Sequence, residues 1–265
     1  MLYEGLLKKM VAEPGTPVEY FLEVDGSALN LNQAMGNKLS ISFLHFQCLN
    51  CGLQRKVYRQ GHCYDCFFKL PQTAEWIIRP ELSKAHLGIE DRDLEFETHV
   101  QLQPHVVYLA NSSSVKVGVT RKTQIPYRWI DQGAHEAIEI LEVPNRYLAG
   151  IAEVALANHI SDKTNWRTML KNEITDEDLF QWKKDLKQYL PEEVLPYFLD
   201  EVQETNIEFP VLKYPENPNV LNLDKTPFYE GILKGIKGQY LIFDDDTVFN
   251  VRSNEGRVVG ISVKN

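Results

Sequence analysis

Cysteine is scarce in this chain and confined to one place: of 265 residues, only Cys48, Cys51, Cys63 and Cys66 are cysteine. Also missing is any apolar run long enough to cross a bilayer, which excludes a helical membrane span. The start, MLYEGLLKKM, lacks the apolar core and cleavage site of a secretory signal, so the expected location is the cytoplasm. Neither G-x-x-x-x-G-K-[ST], G-x-G-x-x-G nor H-E-x-x-H occurs, and no Ser-His-Asp set stands in a distinctive context. These absences argue against a P-loop nucleotidase, a Rossmann dinucleotide enzyme, a zincin protease and a serine hydrolase. An excess of positive charge is absent as well. The formal net charge is −9, so any polyanion must be held by a local patch rather than by the whole molecule.

The cysteines that are present read C-x2-C-x11-C-x2-C. Each C-x2-C pair can turn back so that two thiolates face one ion, and two such knuckles complete the four-sulfur tetrahedron that zinc prefers. A pair of disulfides is the alternative, and it needs an oxidising compartment. The spacing predicts one structural zinc on Cys48, Cys51, Cys63 and Cys66 in a compact variant of a zinc ribbon, with His45 and His62 as candidates to replace one sulfur.

Charge is unevenly spread: −3 over residues 1–100, +1 over 101–175 and −7 over 176–265. Nucleic acid, if bound, therefore meets the first two thirds, and the acidic last third is a candidate surface for a protein partner. Around the cysteines, Arg55, Lys56, Arg59 and Lys69 alternate with Tyr58, Tyr64, Phe67 and Phe68. Basic and aromatic side chains together suit a surface for phosphates and bases. They also suit a miniature core around a metal with solvated charges, and the sequence leaves both open.

Hydrophobic alternation predicts strands at 3–10, 17–24 and 38–47, then a less legible wrapped segment from Pro71 to Gln103. HVVYLA (105–110) and VKVGV (115–119) read as a hairpin. A short helix over 123–131, a strand over 137–143 and a helix over 146–160 follow. Thr175 is the expected N-cap of a helix reaching Leu190, with another running from Pro191 to Thr205. After a proline-containing linker, four short strands suggest a small barrel or meander. Tyr3-Glu4-Gly5 recurs as Tyr229-Glu230-Gly231, a hint that the first strand and the last unit are related or paired. The expected class is α+β. The expected units are a β-rich region with the zinc site (1–103), an α/β unit (104–174), a helical pair with linker (175–226) and a small β unit (227–265).

The α/β unit resembles the GIY-YIG nuclease superfamily. Val106-Val107-Tyr108 stands where that superfamily has its first tyrosine motif, and Lys116-Val117-Gly118 stands where it has the second. Arg128 in PYRW matches the arginine of the following helix, and Glu153 in GIAEVALANH matches the metal-binding glutamate. Asn165 is a looser counterpart of a distal asparagine. The second motif's tyrosine is Lys116 here, a departure that bears on activity. The resemblance implies a three-stranded sheet with helices and a divalent-metal-dependent endonuclease, with Glu153 holding Mg²⁺ or Mn²⁺ and with Tyr108, Lys116 and Arg128 as catalytic groups. Over most of its length the chain also resembles a bacterial family, domain of unknown function 2797, through its CxxC pairs, VYLA, KVGVTR, RWIDQGA and AGIAEV with DKTNWRTML.

The residues speak for themselves too. Glu153 is the sole charge in YLAGIAEVALA, and a carboxylate on an apolar helix calls for a cation or donor: a divalent metal, or an ion pair with Arg146 or Arg128. Tyr108 could orient or deprotonate water if a cation such as Lys116 lowers its pKa, or it could be core packing. Lys116 and Arg128 could neutralise a phosphate or be solvated. The reading is a zinc-containing nucleic-acid-binding protein with endonuclease chemistry. Its alternative is a non-catalytic adaptor that binds nucleic acid or protein through a degenerate nuclease fold.

Overall fold

In the computed structural model, residues 2–24, 26–160 and 165–264 are described. The first strands are β1 (Leu2–Leu6), β2 (Val11–Glu13), β3 (Glu19–Val24), β4 (Ser27–Asn30) and β5 (Lys38–Phe46), with the short helix α1 (Leu31–Ala34) before β5. Helices α2 (Tyr64–Lys69) and α3 (Leu94–Gln101) follow. The central unit runs β6 (His105–Asn111), β7 (Val115–Arg121), α4 (Tyr127–Asp131), β8 (Glu136–Val143), α5 (Arg146–Ala157) and α6 (Trp166–Leu170). Then come α7 (Leu179–Leu186), the two-residue strands β9 (Thr205–Asn206) and β10 (Asn219–Val220), and β11 (Phe228–Lys237), β12 (Tyr240–Phe243), β13 (Thr247–Asn250) and β14 (Arg257–Lys264).

The two ends of the chain build one sheet, in the order β1-β14-β5-β11-β12-β13-β10. Tyr3 lies opposite Ile261, Ile261 opposite Ile41, and Ile41 opposite Tyr229, so one row of side chains crosses four strands. The two Tyr-Glu-Gly repeats thus flank the β14–β5 pair on either side. Beneath this sheet Leu39, Ile41, Ile236, Phe243, Phe249 and Ile261 join Leu7, Met10, Tyr20 and Leu22 in the largest core cluster. The last four strands are therefore half of a shared sheet and not a barrel of their own. Local alternation predicts that strands exist, but edge pairing across the chain decides where they go.

In the central sheet the order is β7-β6-β8-β9, with β6 in the middle and antiparallel to both principal neighbours. Its faces divide by alternation. Val107 and Leu109 point with Val115 and Val117 into a core formed with α5 and α7, whereas Val106, Tyr108 and Ala110 pack on Trp129 of α4. Helix α4 also docks on the terminal sheet: Asp131 accepts hydrogen bonds from Lys9 Nζ at 2.9 Å and Gln239 Nε2 at 2.8 Å, and Ile130 enters the terminal core.

The wrapped segment folds as four 3-10 turns and α3, and two buried ionisable side chains hold it. Glu97, 1% exposed, accepts the backbone N–H groups of Asp91, Arg92 and Asp93 at 2.9, 2.7 and 3.1 Å. Arg146, at the start of α5, donates to the carbonyls of Trp76 at 3.1 Å and Ile77 at 2.6 Å. Gly150 permits the close approach, because a Cβ there would collide with the backbone at Pro80 and Glu81.

Two helix expectations are corrected. Asp178, not Thr175, caps α7, accepting from the Phe180 and Gln181 N–H groups at 2.9 and 3.0 Å, while Thr175 Oγ1 donates to the Ser113 carbonyl at 3.0 Å. No α-helix forms over 191–205, where there is only a 3-10 turn at Leu195–Tyr197. Pro196, five residues after Pro191, removes an N–H that a continuous α-helix from Pro191 would need, and is accommodated only in the first turn of the 3-10 helix.

Candidate metal centre and groove

Strand β5 ends at Phe46 and delivers Cys48 directly into a tight knuckle, where the Gly52 N–H donates to the Cys48 carbonyl at 3.0 Å and Gly52 takes φ +68°. A hairpin over Arg59–His62 returns the chain, with Gln60 and Gly61 at φ 51° and 73°. Cys63 then caps α2, and Cys66 lies in that helix's first turn. The four Sγ atoms fall within 4.8 Å of one another, with Cys51 and Cys63 at 4.0 Å. A tetrahedron with bonds of about 2.3 Å needs sulfur–sulfur edges of about 3.8 Å, so the donor set fits zinc. These four cysteines could hold the ion without His45 or His62; neither histidine is in the cluster.

The thiols are prepared unequally. Burial works against ionisation of Cys48, but the backbone N–H groups of Cys51, Cys63 and Asn50 outweigh it and bring the thiol down to about 5. At Cys66 the Asn50 amide, 3.4 Å away, favours the thiolate, yet burial and the other three cysteines push it up to about 11. A divalent cation would remove the conflict by stabilising all four thiolates together.

Beside this module lies a groove of about 890 Å³, bounded by the cysteine loop, the wrapped segment, the central unit and the C-terminal region. Arg121, Arg128, Arg146 and Arg252 line it with His62 and His99, and Glu255 is its one carboxylate. Among the described residues Arg121, Arg128 and Arg252 have no ion-pair partner. His62 is 9% exposed and its Nδ1 has no hydrogen-bond partner. Such a surface attracts anions, and three guanidinium forks suit phosphate oxygens in particular.

Of the candidate catalytic residues singled out from sequence, Arg128 alone lines the groove; Tyr108 and Lys116 interact with Arg128, and Glu153 lies near Tyr108. Tyr108 is fully buried; its hydroxyl accepts from Gln132 Nε2 at 2.8 Å and is hydrogen-bonded by Arg128. Burial raises its pKa despite Arg128, which is the cation that acts on it, rather than Lys116. Lys116 is 8% exposed, and burial together with repulsion from Arg128 lowers its pKa to about 8. Glu153, partly exposed on α5, adds to the raised pKa of Tyr108 and opposes the burial that brings Arg146 down to about 10. Asn165 is the N-cap of α6, accepting the Arg167 N–H at 3.1 Å.

Arg146 and Arg252 escaped the sequence reading as groove residues. Nothing in their local pattern marks them: the partners of Arg146 are the carbonyls of Trp76 and Ile77, about seventy residues away, and Arg252 lies in the C-terminal region. Arg121 is placed by cross-strand pairing with His105.

No curated protein and no solved structure matches the chain. A family described as "Protein of unknown function (DUF2797)" matches residues 36–259, from the β5 approach through the cysteines, the groove and into β14. With that match spanning most of the sequence, the chain belongs to this family.

Proposed function

We propose that this is a zinc-containing nucleic-acid-binding protein whose central unit is a divalent-metal-dependent endonuclease of GIY-YIG type. The observation that carries the reading is the groove: four arginines, three from the central unit and one from the C-terminal region, face one cavity that holds a single carboxylate. The sheet order β7-β6-β8, with helices after the second and third strands, agrees with the expected nuclease architecture.

In this reading Arg128 fixes a phosphodiester by a bidentate contact, and Arg128 with Lys116 offsets the charge that grows on its oxygens. Tyr108 and Gln132 hold the Arg128 guanidinium in place. Glu153 would hold Mg²⁺ or Mn²⁺, an ion that takes one carboxylate, waters and a phosphate oxygen. When bound, the ion supplies Lewis-acid polarisation of the scissile phosphate.

One observation favours the adaptor reading: the Tyr108 hydroxyl is sealed between Gly118, Gln132 and Arg128. Glu153→Gln separates the two. Under the nuclease reading it abolishes nicking of branched or single-stranded DNA and RNA, keeps binding, and leaves the melting temperature nearly unchanged. Wild-type protein that binds nucleic acid but cuts none of a broad panel in Mg²⁺ or Mn²⁺ establishes the adaptor.

A further inference from the structure

The zinc module carries an aromatic cluster on its outer face. Tyr58, Tyr64 and Phe68 are 44%, 62% and 49% exposed, although large rings gain most from burial. Tyr58 lies 5.3 Å from Tyr64 and 5.7 Å from Phe68, and Tyr64 lies 4.8 Å from Phe68. The rings touch one another, yet each keeps surface for something else. The sequence's alternative of a closed miniature core is thus met only in part.

In sequence the rings are interleaved with Arg55, Lys56, Arg59 and Lys69, with Asp65 as the acid among them. Arg55 already pairs with Asp65 at 2.8 Å, and Arg59 lies over the Tyr58 ring at 5.4 Å. What covers this patch is therefore anionic and offers flat apolar faces. Unpaired nucleotides have both properties. In a duplex the base faces are hidden by stacking, so protruding rings can meet them only where strands are open.

Position adds a second argument. Tyr58 and Arg59 lead into the hairpin whose next residues, Gln60 and His62, line the arginine groove. Patch and groove are two sides of one turn, and the turn is rigid because Tyr58 N–H donates to the His62 carbonyl at 2.8 Å just ahead of Cys63.

We infer that Tyr58, Tyr64 and Phe68 form a stacking platform for unpaired bases, which makes single-stranded nucleic acid the substrate class presented to the groove. This rests on the proposed nucleic-acid function and narrows it. Contacts are to base faces and backbone, so binding is tolerant of sequence and steep in salt.

The experiment uses the full zinc-loaded chain and fluorescence anisotropy with a labelled thirty-residue oligothymidylate (about 30 nucleotides, to span platform and groove), and with a mixed-sequence duplex of equal length. The expected result is at least about tenfold tighter binding of the single strand, reduced about tenfold by Tyr64→Ala or Phe68→Ala and retained by Tyr64→Trp. Zinc content and melting temperature are measured on each variant, and Tyr64→Trp keeps the test valid if an alanine variant misfolds. Equal binding of both forms, unaffected by the aromatic variants but lost in Arg128→Glu, overturns the platform and leaves the groove. Absence of binding to either probe overturns both. Self-association abolished by Tyr64→Ala, without oligothymidylate binding, assigns the patch to a protein contact and also overturns the inference.

Discussion

Tyr108 on β6 lies across Gly118 on β7, its hydroxyl 2.6 Å from where a Cβ of residue 118 would stand. The contact explains why the second motif must end in glycine: the space above it is occupied by the ring that braces Arg128. Gly118→Ala should push the ring out of a fully buried position and cost about 1–3 kcal/mol. Urea unfolding checks the stability, and weaker nucleic-acid binding should accompany it because Arg128 loses its brace.

One equivalent of zinc per chain is expected by elemental analysis of purified protein. Metal binding needs thiolates, so affinity should fall as the solution is acidified, with protons released on binding at neutral pH. Cys48→Ser should reduce zinc content to well below half an equivalent.

Arg146 ties α5 to the wrapped segment through the carbonyls of Trp76 and Ile77. Arg146→Met leaves both carbonyls without that donor and should destabilise the fold by about 2–4 kcal/mol, given charged hydrogen bonds worth about 1.5–3 kcal/mol each before relaxation. Limited proteolysis should then cut first between residues 71 and 103.

His105 is buried, donates from Nδ1 to the Gln103 carbonyl at 2.7 Å, and is brought down to about 4 by burial, with Arg146 and Arg121 adding to the effect against that hydrogen bond. Between pH 6.5 and 4 the unfolded chain takes up a proton that the folded one refuses, so stability is lost as pH falls through this window, by about 3 kcal/mol in all. His105→Leu should flatten this part of the stability profile. Lys237 is fully buried against Asn172 and held at about 8 by burial. Its cost is complete below pH 8 and fades towards pH 10.5, so Lys237→Met should gain about 1–3 kcal/mol at pH 7 and nothing at the alkaline end.

What could be read in advance follows the range of the forces involved. The four cysteines carry their geometry in their spacing, and the strands of residues 105–143 carry theirs in alternation. Tyr108, Arg128 and Glu153 were legible because they sit on short, regular elements that a motif can index. Arg252 was not, since only a sheet joining both ends of the chain brings it to the groove. The failed helix at 191–205 shows the reverse error, in which acidic residues after a proline suggested a start that Pro196 prevents. Tyr108's environment was illegible too: burial outweighs Arg128, and burial is a property of the finished fold.

Strand β5 pairs with β11 although the whole central unit lies between them in sequence. As the chain emerges from the ribosome, β5 must wait for more than half the protein before its neighbours exist, while β6, β7 and β8 find each other almost at once. Contacts of long separation form slowly, and waiting strands expose unpaired edges. The central unit is thus placed to mature first, and the early β segment is the part of the nascent molecule most in need of protection.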